Sequence, residues 1–202
     1  MPSHADRIIG LYEDHALSFD GDRHRRLFER PWLDRFLNLL PPGASVLDIG
    51  CGMGEPIARY LIEHGCNVTG IDAAPTMIGL CKERFPSHEW LVADMRQLDL
   101  GRTFHGLLAW DSFFHLEKEH QRRMFPIFAR HAAPSAALMF TSGDRASEAI
   151  GTYCGEPLYH ASLAPDEYRQ LLRQYGFEVV EYIAGDPSCE HHTVWLAQRA
   201  AV

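Results

Sequence analysis

Six residues in the first half of the chain have the types and the spacing for ligand chemistry. Asp48 precedes Gly50, Gly52 and Gly54 in "VLDIGCGMGEP", Asp72 ends "VTGID", and Asp94 ends "EWLVAD". Glycines at alternate positions let a ligand approach the backbone closely and allow φ angles closed to other residues. An acid at a strand tip can accept hydrogen bonds from both hydroxyls of a ribose. Asp94 with Met95 could flank an adenine, the carboxylate accepting from the exocyclic amine and the thioether covering the ring.

Two ligand classes use a glycine loop of this kind. Dinucleotide sites carry G-x-G-x-x-G. Here the spacing is G-x-G-x-G, with an aspartate two residues ahead of it. A pyrophosphate is poorly served by that aspartate, whereas a cationic ligand is well served.

Such residues need strand ends and helix starts to hold them. "SVLDIG" (45–50), "NVTGID" (67–72), "EWLVAD" (89–94), the start of "FHGLLAWDSFFHL" (104–116) and "AALMFTSG" (136–143) read as short buried strands. Helical patterns fall between them at 55–65, 74–85 and 117–131, the last disturbed at Pro126. This alternation predicts an α/β fold with a parallel sheet, right-handed crossovers and helices on both faces. A helix over 164–177 precedes strands at 177–184 and 192–199. The turn "GDPSCEH" between those strands is too short for a crossover, so the last strand runs antiparallel.

Upstream, residues 5 to about 19 are weakly helical. Residues 24–40 form a clearer helix on Leu33, Phe36, Leu37 and Leu40, stopped by "PPG". The basic cluster Asp22–Arg30 reads as a solvated helix face. Segment 144–163 has no clear period and reads as an insert. The 202 residues thus form one domain: a helical cap (1–43), a core (44–143), a lid insert (144–163), and a closing helix and strand pair (164–202).

Composition narrows the function classes. With 46% apolar and 23% charged residues the chain reads as globular, and its formal charge of −8 argues against a nucleic-acid or membrane-surface binder. No apolar run approaches the roughly 20 residues of a membrane span. The N-terminal "MPSHADRIIGLYEDH" carries charges where a signal peptide has its apolar core, so a cytoplasmic location is expected. Five scattered cysteines without a CxxC pair read as reduced thiols. His191 and His192, beside Cys189 and Glu190, point to opposite faces of a strand, and no metal site is expected there.

"VLDIGCGMGEP", "VTGIDAAPTMI" and "LVADMRQLDL", in this order and spacing, resemble the class I S-adenosylmethionine-dependent methyltransferases over about residues 44–197. The resemblance implies a seven-stranded Rossmann-like sheet whose sixth and seventh strands are antiparallel. It implies that Asp48, Gly50, Cys51, Gly52 and Gly54 line the methionine part of the cofactor. Asp72 and Ala73 would meet the ribose, and Asp94 and Met95 the adenine. Residues after the fourth strand, from Trp110 onward, would face the transferred methyl. The implied activity moves a methyl group from S-adenosylmethionine to a small-molecule acceptor, leaving S-adenosylhomocysteine. The alternative is a non-catalytic protein that senses or regulates through the same cofactor. The N/D-P-P-Y/F signature of enzymes that methylate nucleic-acid bases is absent. Candidate catalytic groups are His160, His115 and Asp111. Tyr12, Phe114, Tyr153 and Tyr159 are candidate lid and substrate residues. The expected state is a monomer or homodimer.

Overall fold

Strand β1 (Ser45–Ile49) buries Val46, Leu47 and Ile49 together, so it must be covered on both faces. The computed structural model, which describes residues 3–201, shows how. Leu47 and Ile49 join Leu107, Leu138 and Phe140 against helices α6 (Lys118–His131) and α7 (Pro165–Gln174). Val46 joins Leu108, Trp110 and Met139 against α3 (Arg30–Leu37), α4 (Ile57–Glu63) and α5 (Pro75–Arg84). Alternation along each strand therefore sends successive side chains into two different cores.

The seven strands lie in the order β3 (Glu89–Val92), β2 (Asn67–Asp72), β1, β4 (Phe104–Ala109), β5 (Ala132–Ser142), β9 (His192–Arg199), β8 (Phe177–Asp186). β9 is antiparallel to both its neighbours and every other pairing is parallel, as expected from the short turn before it. The order reverses between β1 and β4, so the crevice beyond the carboxyl ends of these strands is the natural ligand position.

Four elements differ from the sequence expectation. The helix expected over 24–40 begins only at Arg30, because Pro31 occupies its first turn and marks the start. The basic cluster is consequently irregular chain, in which Arg25 pairs with Asp20 and Arg23 with the fully buried Glu29. Helix α6 runs through Pro126 unbroken, since Met124, Phe125 and Phe128 are wholly buried and packing outweighs one missing N–H. The 144–163 insert is a β-hairpin, β6 (Ser147–Tyr153) and β7 (Glu156–Ser162), separate from the main sheet. Cys154 (φ 50°) and Gly155 (φ 84°) form its two-residue turn, the geometry of a tight hairpin. The N-terminal helix is also divided, into α1 (Ile8–Asp14) and α2 (Ala16–Asp22), at His15.

Among the described residues no helix is long and apolar enough to cross a membrane, and all five cysteines are free.

Candidate active site

The floor of the site is the turn after β1. Gly50 N–H and Cys51 N–H both donate to the Ile71 carbonyl, at 2.8 and 2.9 Å. Asp72 splints this turn to the next helix: its Oδ2 accepts from Gly52 N–H at 3.0 Å and its Oδ1 from Ala74 N–H at 2.9 Å. Burial raises the Asp72 pKa, and these backbone donors oppose the rise.

The three glycines serve different ends. Gly50 (φ 77°) has no room for a Cβ because the Ser112 side chain packs there, its Oγ donating to the Ile49 carbonyl at 2.6 Å. Gly54 is crowded by Phe85 and Cys81. Only Gly52 of the three looks onto open space. The expectation that all three make room for a ligand therefore narrows to Gly52; the other two make room for the protein itself.

Two cavities meet over this turn. The larger is an open cleft of about 880 Å³, counting the solvent at its mouth, and runs past Asp72, Ala73, Asp94 and Met95. The smaller, about 440 Å³, runs past Asp48, Cys51, Gly54 and Trp110. Phe19, Gly50, Gly52 and Asp111 line both, so they mark the junction.

Asp48 is 4% exposed, and its carboxyl takes no hydrogen bond among the described residues. Burial, with the charge of Asp72, pushes its pKa up to about 7. A carboxyl left without a partner inside a cavity is a group built to meet a cation. Asp94 is different. It caps the turn Met95–Gln97 and grips the Arg96 guanidinium at 2.6–3.0 Å. Burial alone would raise its pKa, but Arg96 holds it below the usual carboxylate value. An adenine amine would have to share Asp94 with Arg96.

The roof is α1–α2. Glu13 accepts from Thr76 N–H (2.9 Å) and Thr76 Oγ (2.7 Å), capping α5 from another element. Asp20 takes a two-pronged bond from Arg84 at 2.6 and 2.8 Å. Tyr12 lines the larger cavity, and its hydroxyl meets His115 Nε2 at 2.9 Å. His115 Nδ1 lies 2.8 Å from the Tyr159 carbonyl, which can only accept. Nδ1 therefore carries the proton, and Nε2 accepts from Tyr12. Burial pushes the His115 pKa down to about 4, so the ring is neutral near pH 7. Phe113 anchors this stretch, fully buried against Phe125, Phe128, Phe140 and Tyr168 at centroid distances of 5.4–6.1 Å.

Tyr12, His115 and Asp111 of the expected acceptor-side residues reach the larger cavity. His160, Phe114, Tyr153 and Tyr159 do not line either one. His160 sits half-buried on β7 against Phe114 and His115, at centroid distances of 5.2 and 4.8 Å. Tyr159 packs on Ile8, and Tyr153 donates to Asp22 at 3.2 Å. Tyr153 and Tyr159 join the hairpin to the cap, and His160 joins it to the stretch after β4. Sequence reasoning missed Phe19 and His192, while Ser112 lies in the stretch after the fourth strand that it expected at the site. The sequence marks His192 only as one of two adjacent histidines, yet its Nε2 lies 3.2 Å from Asp111 Oδ2. No signal in the sequence joins positions 111 and 192, because only the pairing of β9 beside β5 brings them together.

Comparison with known proteins agrees with this geometry. Residues 46–135 match the family described as "Methyltransferase domain". That stretch, a little under half of the chain, is similar to a methyltransferase domain. An O-methyltransferase from Pyrenophora dematioidea is 27% identical over 168 residues, which is 77% of this chain; the chain spans only 62% of that relative's length. The methyltransferase fold recurs in the 1,6-didemethyltoxoflavin-N1-methyltransferase of Burkholderia thailandensis, solved with 1,6-didemethyltoxoflavin and S-adenosylhomocysteine. There the TM-score is 0.74 at 19% identity, covering 99% of this chain and 92% of the other. An amino pentose methyltransferase from Micromonospora echinaspora, solved with S-adenosylmethionine, superimposes with a TM-score of 0.71 at 19% identity, covering 93% and 96%.

Proposed function

We propose that this protein transfers a methyl group from S-adenosylmethionine to a small-molecule acceptor. The observation that carries this reading is the pair of cavities meeting at Gly52 and Asp111, with Asp72 in one and the unpartnered Asp48 in the other. A ligand with a ribose near one end, an ammonium at the other and a cationic centre between them matches that donor set. Asp72 would hold the ribose hydroxyls, Asp48 the ammonium, and Gly52 would leave space for the chain between. S-adenosylmethionine, when bound, supplies an electrophilic methyl group on a sulfonium.

The rest is done by this chain's own residues. The cap closes over the junction and excludes water, so the acceptor meets the methyl group in a dry, oriented setting. Tyr12 donates its hydrogen bond to His115, which leaves its oxygen lone pairs free to accept an acceptor N–H or O–H. A histidine held near pKa 4 is a poor store for a proton, so this pair orients the acceptor rather than deprotonating it. Asp111, at the junction, is the group placed to take a hydrogen bond from the nucleophile. The cavity volume and the net charge of −8 favour a compact acceptor over nucleic acid.

Calorimetric titration with S-adenosylmethionine, S-adenosylhomocysteine and NAD in parallel tests the reading. Binding of the first two alone is expected. Binding of NAD alone, or of none, overturns it. A mass-spectrometric screen of small amines and phenols with the loaded protein then separates an enzyme from a sensor, since only the enzyme yields methylated product.

A further inference from the structure

Asp111 has a partner that the proposed reaction leaves unexplained. It follows β4 in a left-handed conformation (φ 48°) and is fixed from two sides. Its N–H donates to Thr141 Oγ at 2.9 Å, and its Oδ2 lies 3.2 Å from His192 Nε2. His192 opens β9, and its Nδ1 lies 2.8 Å from the Cys189 carbonyl. Both ring nitrogens thus face groups that only accept, a carbonyl and a carboxylate. An imidazole can satisfy both only by donating from both, which makes it an imidazolium.

The surroundings agree with a charged ring. Trp110 lies along one side (centroids 5.6 Å apart, 25° between planes) and Phe28 is 5.3 Å away (32°), in the cation–π range. The charged groups facing His192 are Asp111 from the end of β4 and Glu29 from the start of α3; Arg23, bonded to Glu29, lies over the Phe28 ring. Burial pulls the His192 pKa down, but Asp111 outweighs it and leaves the pKa above the usual histidine value. His192 keeps 22% and Asp111 31% of its side chain exposed, so the pair is not sealed in the core.

Asp111 lines both cavities, and any ligand that fills both must pass it. On the function proposed above, the atom that passes is the sulfur. It is cationic in S-adenosylmethionine and neutral in S-adenosylhomocysteine, whereas the ammonium near Asp48 and the ribose near Asp72 are common to both. We propose that His192 is a positioning residue that, through Asp111, sets the preference of the site for the sulfonium over the thioether. The imidazolium tempers the Asp111 carboxylate. Donor is then held without an excessive grip, and the neutral product is not disfavoured so strongly that the junction closes on donor alone.

The measurement is the ratio of the two dissociation constants, S-adenosylhomocysteine over S-adenosylmethionine, taken calorimetrically. This ratio cancels Asp48, Asp72 and the roof, which act on both ligands alike. His192→Asn keeps a neutral donor toward Asp111 and should raise the ratio about fivefold. Asp111→Asn, which tolerates the left-handed backbone, should lower it by about tenfold, chiefly through weaker sulfonium binding. In the wild type the ratio should climb as pH rises through the His192 titration, and His192→Asn should flatten that climb. Should His192→Asn fail to fold, the wild-type pH series and Asp111→Asn still read the effect. Equal changes in both affinities, or a ratio independent of pH in the wild type, would overturn the role of His192 while leaving the proposed function standing. Failure of the wild type to bind either ligand would overturn both.

Discussion

The floor and the roof of the site are built on different principles. The floor joins neighbouring strand ends through bonds that all use backbone N–H groups: Gly50 and Cys51 to the Ile71 carbonyl, Gly52 and Ala74 to the Asp72 carboxylate. Its strands are buried on both faces, and it has little freedom to move without breaking the sheet. The roof joins residues far apart in sequence through side chains: Glu13 to Thr76, Asp20 to Arg84, Tyr12 to His115, His15 to Glu156. Each of these can open singly, and several are partly solvated, where an ion pair contributes about 0–1 kcal/mol. The methyl transfer proposed above needs both properties, a rigid cofactor bed and a cover that admits the ligand.

The sharpest way to break the floor is Gly50→Ala. The new Cβ meets Ser112 at a positive φ, so a loss of about 3 kcal/mol is expected in denaturant unfolding, together with loss of cofactor binding. Native-like stability in that variant would mean that the turn is not the rigid element described here. Asp72→Ala comes next. It removes both the splint and the proposed ribose acceptor, and calorimetry should show S-adenosylmethionine affinity falling by more than about tenfold.

Proton linkage at Asp48 gives a smaller, graded effect. Its pKa near 7 means that the cavity holds a neutral carboxyl below that pH and a carboxylate above it. A cationic ligand lowers that pKa, so binding releases a proton. Affinity should fall about fivefold from pH 7 to pH 6 and level off above pH 8. In Asp48→Asn the dependence should vanish, and affinity should stay low throughout. The smallest effect belongs to the roof. Arg84→Met should cost about 1 kcal/mol or less in global stability, yet limited proteolysis should cut the segment 20–27 several-fold faster. Equal protection in that variant would show that the Asp20–Arg84 pair does not hold the cap.

This division also explains what could be read in advance. The strands, the antiparallel closing strand and the three strand-tip acids were legible because burial on both faces leaves continuous apolar runs, and tight turns demand glycine. The hairpin over 147–162 was not legible, because β6 is almost wholly exposed and carries no alternating apolar pattern. The start of α3 was misplaced by six residues, since helical spacing gives a periodicity but a proline sets the boundary. His160 looked like a candidate base for its residue type alone, and packing turned it toward Phe114 instead.

By itself the sequence determined the class of fold, the glycine turn and the chemistry of its acids, because these depend on local backbone geometry and on spacing of two or about 3.6 residues. Tertiary structure alone decided that Gly50 yields its space to Ser112, that Tyr12 meets His115 across 103 positions, and that Asp111 is paired with His192. Those contacts are made between elements whose neighbours in space are set by sheet order and helix packing, and no local period in the chain encodes them.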